Sequence, residues 1–278
     1  MSAANNHEPV EIEITSLPEL RDQFEETRGW LFRGHRCATW RLEPTVVRYA
    51  MRNGYNEVPA VQAFERRCYK EFTRRALDHF QNLPQAYSAA EWLGFMQHFG
   101  APTRLIDVSK SPWVAAFFAV EELDQQNRAA IWAIDPDVVR SADPEDLHRN
   151  RNDLLGYLVD PTQWAALAER NEGLKKFAPV ESFDSSRVEV MEPFLGPDRI
   201  NRQKGAFLFA CSLARPACAL LIDQAQKEKE GPKRRVRKLV IPGDLRNPLL
   251  EALSVMNIGA DTLFPGADGF GRSLRVQN

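Results

Sequence analysis

Gln97-His98-Phe99-Gly100-Ala101-Pro102-Thr103-Arg104-Leu105-Ile106-Asp107-Val108-Ser109 is the densest polar cluster set among apolar neighbours in the chain. The helix before it starts at a Ser88-Ala-Ala-Glu91 capping box, carries Trp92, Phe95 and Met96, and stops at Gly100. Pro102 turns the chain, and Arg104–Val108 reads as a short strand. Alternation puts Arg104, Ile106 and Val108 on one face and Leu105 with Asp107 on the other. Ser111-Pro112 then supplies an N-cap and a proline at the first helical position for the apolar helix Trp113–Val120. Ser109 therefore stands at a strand end just before a helix N-terminus, where hydroxyls and backbone N–H groups can hold an anion.

Outward from this unit the elements mix irregularly. Val10–Ile14 alternates as a strand, Ser16-Leu-Pro-Glu19 has capping-box spacing, and Trp30–Arg33 reads as a strand running into Gly34. From Pro59, Val61, Phe64, Cys68, Phe72, Ala76 and Phe80 recur as one face of an amphipathic helix. Ala130–Ile134, Ala206–Ala210 and Leu239–Ile241 read as core strands, Asn247–Met256 as a helix and Thr262–Phe264 as a last short strand. Regular βαβ spacing, GxGxxG and GxxxxGK[ST] are absent, which disfavours Rossmann and P-loop enzymes. The pattern is that of an α+β protein with a mixed or antiparallel sheet and flanking helices. Residues 1–16 form a tail and first strand. Residues 17–278 form one globular domain with a polar helical insertion at about 140–180.

Across 278 residues the apolar content is 44% and the net charge −2, which excludes a disordered or fibrous chain and argues against wholesale coating of nucleic acid. The longest uncharged stretches have 12 residues, against about 20 needed to cross a bilayer. The N-terminus lacks the basic and apolar regions of a signal peptide. Four cysteines without CxxC spacing point to reduced thiols, with Cys37 a small buried residue, and to the cytoplasm. Neither a membrane partner nor a metal is expected, and the oligomeric state is not legible.

Three segments could carry chemistry. In the opening stretch, the structural alternative is an Arg104–Asp107 ion pair that fixes the fold. In Phe32-Arg33-Gly34, an Arg at a strand end can offer its fork to a phosphate while glycine lets the backbone come close. In Arg199-Ile-Asn-Arg-Gln203-Lys-Gly205, Gln203 precedes a core strand and could bond a ligand hydroxyl. A binding-module reading gathers Arg33, His35, Arg36, Arg41 and Arg104 with Trp30 and Trp40 as a basic, stacking pocket for a nucleotide or nucleic acid. The Lys227–Lys238 stretch is basic too, but it leads into a strand and reads as a solvated approach to it. His35, His98 and Asp107 are scattered and lack metal-ligand spacing, and a G-x-S-x-G elbow is missing.

Taken together, these segments resemble the FRG domain family, named for its Phe-Arg-Gly motif. The resemblance rests on Phe32-Arg33-Gly34, on Gln97 to Pro112 with the Ala-rich helix Ala115–Ala119, and on Arg199-Ile200. It continues through Gln203-Lys-Gly205-Ala-Phe207 and Thr262–Pro265 with Asp268-Gly269, so the matching blocks span about 17 to 274. The family's layout is similar to that of ADP-ribosyltransferases, which bind NAD on a split mixed β-sheet. That likeness implies NAD as substrate, held by Arg33, Gly34, His98, Thr103, Arg104 and Ser109. It implies catalysis by Arg33, Asp107, Ser109 and Gln203, with Gln203 where a Glu usually stands. The acceptor would be protein, nucleic acid or water, in an intracellular effector of the bacterial or phage defence or toxin kind. The alternative is a non-catalytic nucleotide- or nucleic-acid-binding module.

Overall fold

The computed structural model describes residues 9–275 except 87, 125, 140–151, 182, 184, 192–201 and 228–234. Tail residues 1–8, the start of the expected 140–180 insertion, Arg199-Ile200 and Arg234 lie outside the described residues. Among the described residues seven strands build one sheet: β1 (Val10–Glu13), β2 (Leu31–His35), β3 (Leu105–Ser109), β4 (Arg128–Ile134), β5 (Val188–Met191), β6 (Gly205–Ala210) and β7 (Val236–Pro242). Their order is β1-β7-β4-β2-β3-β6-β5. β1 runs parallel to β7, and the other neighbours are antiparallel.

The sheet is continuous but nearly breaks in its middle. β4 registers with β7 from Arg128↔Pro242 to Ile134↔Val236, and β3 with β6 from Leu105↔Phe209 to Ser109↔Gly205. β2 and β3 meet only at Phe32↔Ser109. Beyond that residue the two strands part and leave backbone and side chains facing a gap.

Local rules place the surrounding helices. α1 (Leu17–Glu26) begins where Ser16 Oγ accepts the Glu19 N–H, with Glu19 reaching back to the Thr15 N–H at 2.8 Å. α2 (Thr45–Arg52) and α3 (Val58–His79) follow β2, and α4 (Ala89–His98) is capped by Ser88 through the Glu91 N–H. The chain leaves α4 through Gly100 at φ +79°, a left-handed backbone that glycine adopts without a Cβ clash. Ser111 caps α5 (Pro112–Val120) through the Val114 N–H. This helix is apolar almost throughout because it is sandwiched. Ala115, Ala116, Phe117, Ala119 and Val120 join Phe32, Ile131 and Leu239 in one core layer.

A second layer of Ile106, Val108, Trp132 and Leu208 packs on the helix Ala217–Lys227. A third joins α3, α4 and the helical stretch 152–176 beneath Leu105, Phe207 and Phe209. The α+β, mixed-sheet expectation therefore holds, with helices on both faces. Thr262–Phe264 is not a strand. Residues Ala260–Leu263 form a helical turn because the Thr262 hydroxyl accepts the Gly259 N–H at 3.0 Å, ahead of any sheet partner.

Candidate functional site

A cavity of about 450 Å³ opens where β2 and β3 separate. Its walls come from both sides of the sheet: Phe32, Arg33, Gly34 and His35 of β2, Asp107–Ser109 of β3, Gln97 and His98 of α4, Arg48 of α2, and Phe118 of α5. Gln203, Phe207, Phe264 and Arg272 line it too, together with Arg36, Trp40 and the carboxylates Glu121 and Glu122 just after α5. The volume falls in the range of ordinary small-ligand sites.

Arg33 and Asp107 form the centre. The Arg33 Nη1 donates to the Asp107 carboxylate at 3.1 Å and to its backbone carbonyl at 3.0 Å, so one edge of the guanidinium is locked to β3. Asp107 is itself oriented by the Gln97 carboxamide, whose Nε2 donates to the same Oδ2 at 3.0 Å. The Gln97 Oε1 in turn accepts the Thr103 hydroxyl. A relay Thr103–Gln97–Asp107–Arg33 thus fixes the polar centre, and Gln97 is a site residue the sequence reading quoted without giving it a role. Its sequence signal is the spacing Gln97, Thr103, Asp107, from helix end through turn to strand.

Ser109 and Gln203 meet next to it. The Ser109 hydroxyl donates to the Gln203 backbone carbonyl at 2.7 Å and accepts the Ser111 N–H at 3.0 Å. The Gln203 Nε2 donates to the Leu263 carbonyl at 3.2 Å, so the acceptor this cavity-lining side chain has left to offer is its carboxamide oxygen. Lys204, with φ +47°, makes the tight left-handed turn that swings Gln203 back before β6. Arg33, Asp107, Ser109, Gln203, Gly34 and His98 therefore all line one cavity.

Two expected ligand residues do not line it. Arg104 is fully buried, and its Nε donates to Glu65 Oε1 at 2.7 Å while its guanidinium lies over Tyr157, Phe183 and Phe209 at 5.0–5.7 Å. It sits among the rings of the Leu105 layer rather than on the Ile106 and Val108 side, and it pairs with Glu65 rather than Asp107. Its role is to join α3 to β3. Thr103 is equally buried and serves the site only through Gln97. Gly34 has a different duty from backbone approach to a ligand, since a Cβ there would lie 2.0 Å from the Ala115 carbonyl oxygen. Its missing side chain is what lets α5 press against β2.

The basic-pocket grouping divides as well. Arg33, His35, Arg36 and Trp40 share the cavity, whereas Arg41 is exposed elsewhere and Trp30 lies under Arg237. Arg36 pairs with Glu122 and lies 5.3 Å from the Trp40 ring centre. Beyond the undescribed segment before β7, Arg235, Arg237 and Lys238 pair with Asp135, Glu26 and Glu11. His35, His98 and Asp107 all line the cavity, yet among the described residues no group of three or more His, Cys, Asp or Glu is placed to hold a metal. Cys37 is only half-buried, its thiol 3.1 Å from the Thr39 hydroxyl, and among the described residues no disulfide forms.

His35, Arg48, Phe118, Phe264 and Arg272 complete the wall. Burial first, then the charges of Arg33 and Arg48, push the His35 imidazole down to about 3, against the Trp40 backbone, which favours the charged ring. Burial also lowers Arg48 from its ordinary range, with Arg33 adding to the effect. Arg272 stacks over Phe264 at 4.1 Å. Arg48 and Arg272 carried no sequence signal, because α2 and the last helix reach the cavity only through the tertiary fold.

Residues 28–128 match the family model of the FRG domain, which supports the FRG family for that segment. The match covers β2 to the start of β4 and contains the Arg33–Gln97–Asp107–Ser109 part of the site. No curated protein and no solved structure matches the chain. Among the described residues no helix is long and apolar enough to cross a membrane.

Proposed function

We propose that the cavity binds NAD and that the protein cleaves its nicotinamide glycosidic bond, passing ADP-ribose to a protein, a nucleic acid or water. The observation that carries this reading is the meeting of Arg33, Asp107, Ser109 and Gln203 in one nucleotide-sized cavity at the opening between β2 and β3. The likeness of the FRG layout to ADP-ribosyltransferases, with their split mixed sheet, supports the same reading.

The chemistry asks little covalent work of the protein. The C1′–N bond breaks heterolytically, nicotinamide leaves with the bonding pair, and positive charge develops on the ribose. The Asp107 carboxylate stands beside that charge, and the Gln203 carboxamide oxygen accepts a ribose hydroxyl. A lone pair of the acceptor then attacks C1′ and its proton passes to Asp107 or to His98. Phe118 and Phe264 line the same cavity and give the nicotinamide ring an apolar place. An activity that consumes NAD also suits an intracellular toxin or defence effector.

Titrating NAD into the protein while following free nicotinamide tests the reading, with Arg33→Ala alongside. Binding and release by the wild type, both lost in Arg33→Ala, are expected. Absence of binding at millimolar NAD overturns it. One observation favours a second reading, a nucleotide-binding module without turnover: Gln203 brings a carboxamide with no proton-accepting carboxylate, and its nitrogen is tied to Leu263. Binding without nicotinamide release would select that alternative.

A further inference from the structure

We infer that Arg33, Arg48 and His35 form a subsite for a diphosphate, with Arg48 its principal unneutralised cation. This deepens the NAD reading and rests on it for the identity of the nucleotide, but the subsite has its own test.

The cations on the cavity wall are not alike. Arg36 has Glu122, and Arg272 lies on the Phe264 ring. Arg33 commits one Nη to Asp107, while its buried Nε has no hydrogen-bond partner. Arg48 is half-buried, has no hydrogen bond or ion pair among the described residues, and keeps its own Nε buried and unpartnered. Glu43 favours its charge only from a distance. His35 is more than nine-tenths buried, with Nδ1 lacking a partner.

A half-buried guanidinium without a counter-charge is costly, and the charge of Arg33 close by adds to the cost at Arg48. Three carboxylates line the cavity: Glu121 just after α5, Glu122, which Arg36 takes, and Asp107, which Arg33 shares with Gln97. Lys238 adds a further positive field at His35 although it pairs with Glu11. Against two guanidiniums, Arg33 and Arg48, stands one carboxylate partner, that of Asp107 on Arg33, and the neutral His35 ring adds no charge. About one positive charge is therefore left for a diphosphate to answer, and the guanidinium forks suit its oxygens.

Position supports this assignment. Arg33 and His35 are two apart on β2 and share a face of the sheet. Ser109 pairs with Phe32, so His35 lies three residues further along the strand, roughly 10 Å at about 3.3 Å per residue. By the same alternation Ser109, opposite Phe32, lies on the other face of β2 from Arg33 and His35, so a dinucleotide with its nicotinamide ribose at Ser109 and Gln203 would reach the diphosphate subsite through the opening where β2 and β3 part.

The experiment is calorimetric titration with ADP, adenosine and inorganic pyrophosphate, on the wild type and on Arg48→Gln. The wild type is expected to bind ADP at least tenfold tighter than adenosine. Arg48→Gln is expected to weaken ADP and pyrophosphate at least tenfold and leave adenosine unchanged. The ligand-free Arg48→Gln protein is also expected to melt at the wild-type temperature or above, because an uncompensated charge has been removed; a residue needed only for folding would lower it. Equal affinity for ADP and adenosine overturns the subsite, as does unchanged ADP binding in Arg48→Gln. So does a failure of both ADP and pyrophosphate to bind at millimolar concentration. Nicotinamide release that fails while ADP binding persists counts against the glycosidic chemistry and leaves the subsite standing.

Discussion

Arg33 and Arg104 carry the same side chain and end in opposite surroundings. Arg33 keeps part of its guanidinium open to the cavity, whereas Arg104 is sealed against Glu65 and three aromatic rings. Removing one member of such a buried pair leaves the other charge stranded, so Arg104→Met is expected to cost about 3–5 kcal/mol in urea unfolding. The double variant Arg104→Met/Glu65→Leu should recover most of that loss; a double variant as unstable as the single would show that the pair contributes more than charge balance. His35 gives a pH signature. Its folded pKa lies near 3, below the ordinary 6.5, so below pH 6.5 the unfolded chain binds a proton that the folded one rejects. Stability contributed by the neutral ring is complete above about pH 6.5 and falls with pH down to about 3, by up to about 1.4 kcal/mol per unit. Unfolding curves at pH 7 and pH 5 should show the wild type losing more stability than His35→Gln, and equal losses would refute it. The Arg104 environment was not legible beforehand, because Glu65 lies 39 residues away and only the packing of α3 on β3 brings it near.

Elements obeyed local rules wherever those rules were short-ranged. The capping residues Ser16, Ser88 and Ser111 all start helices, as their spacing predicts, since a cap needs only its own next three residues. Thr262–Phe264 failed as a strand because a three-residue apolar run does not distinguish strand from turn, and the Thr262 cap decided it. Gly34 is legible as a motif glycine but its reason is not: the demand comes from the Ala115 carbonyl across the β2–α5 contact. Gly34→Ala should therefore lower stability by about 3 kcal/mol or more through overpacking, measured by thermal unfolding. A variant as stable as wild type would mean that α5 can move away from β2 at little cost.

For the whole molecule the consequence is a cavity whose walls come from segments spread between Phe32 and Arg272, around a sheet that almost divides. A ligand that binds only the folded state raises its stability by RT ln(1 + [L]/Kd), about 2.7 kcal/mol at a hundredfold excess over Kd. NAD is expected to raise the melting temperature of the wild type in proportion and to leave Arg33→Ala unmoved; an equal rise in both would place the nucleotide elsewhere. The amino-acid sequence by itself determined the α+β class, most strands, the helix starts and the motif residues Arg33, Asp107, Ser109 and Gln203, because periodicity, caps and turns act over a few residues. Only the tertiary structure decided that β2 and β3 touch at one pair and then part. It alone turned Arg104 and Thr103 inward, and brought Arg48, Gln97 and Arg272 to the same wall. Those outcomes depend on which surfaces pack together across tens to hundreds of residues, and no local pattern encodes that.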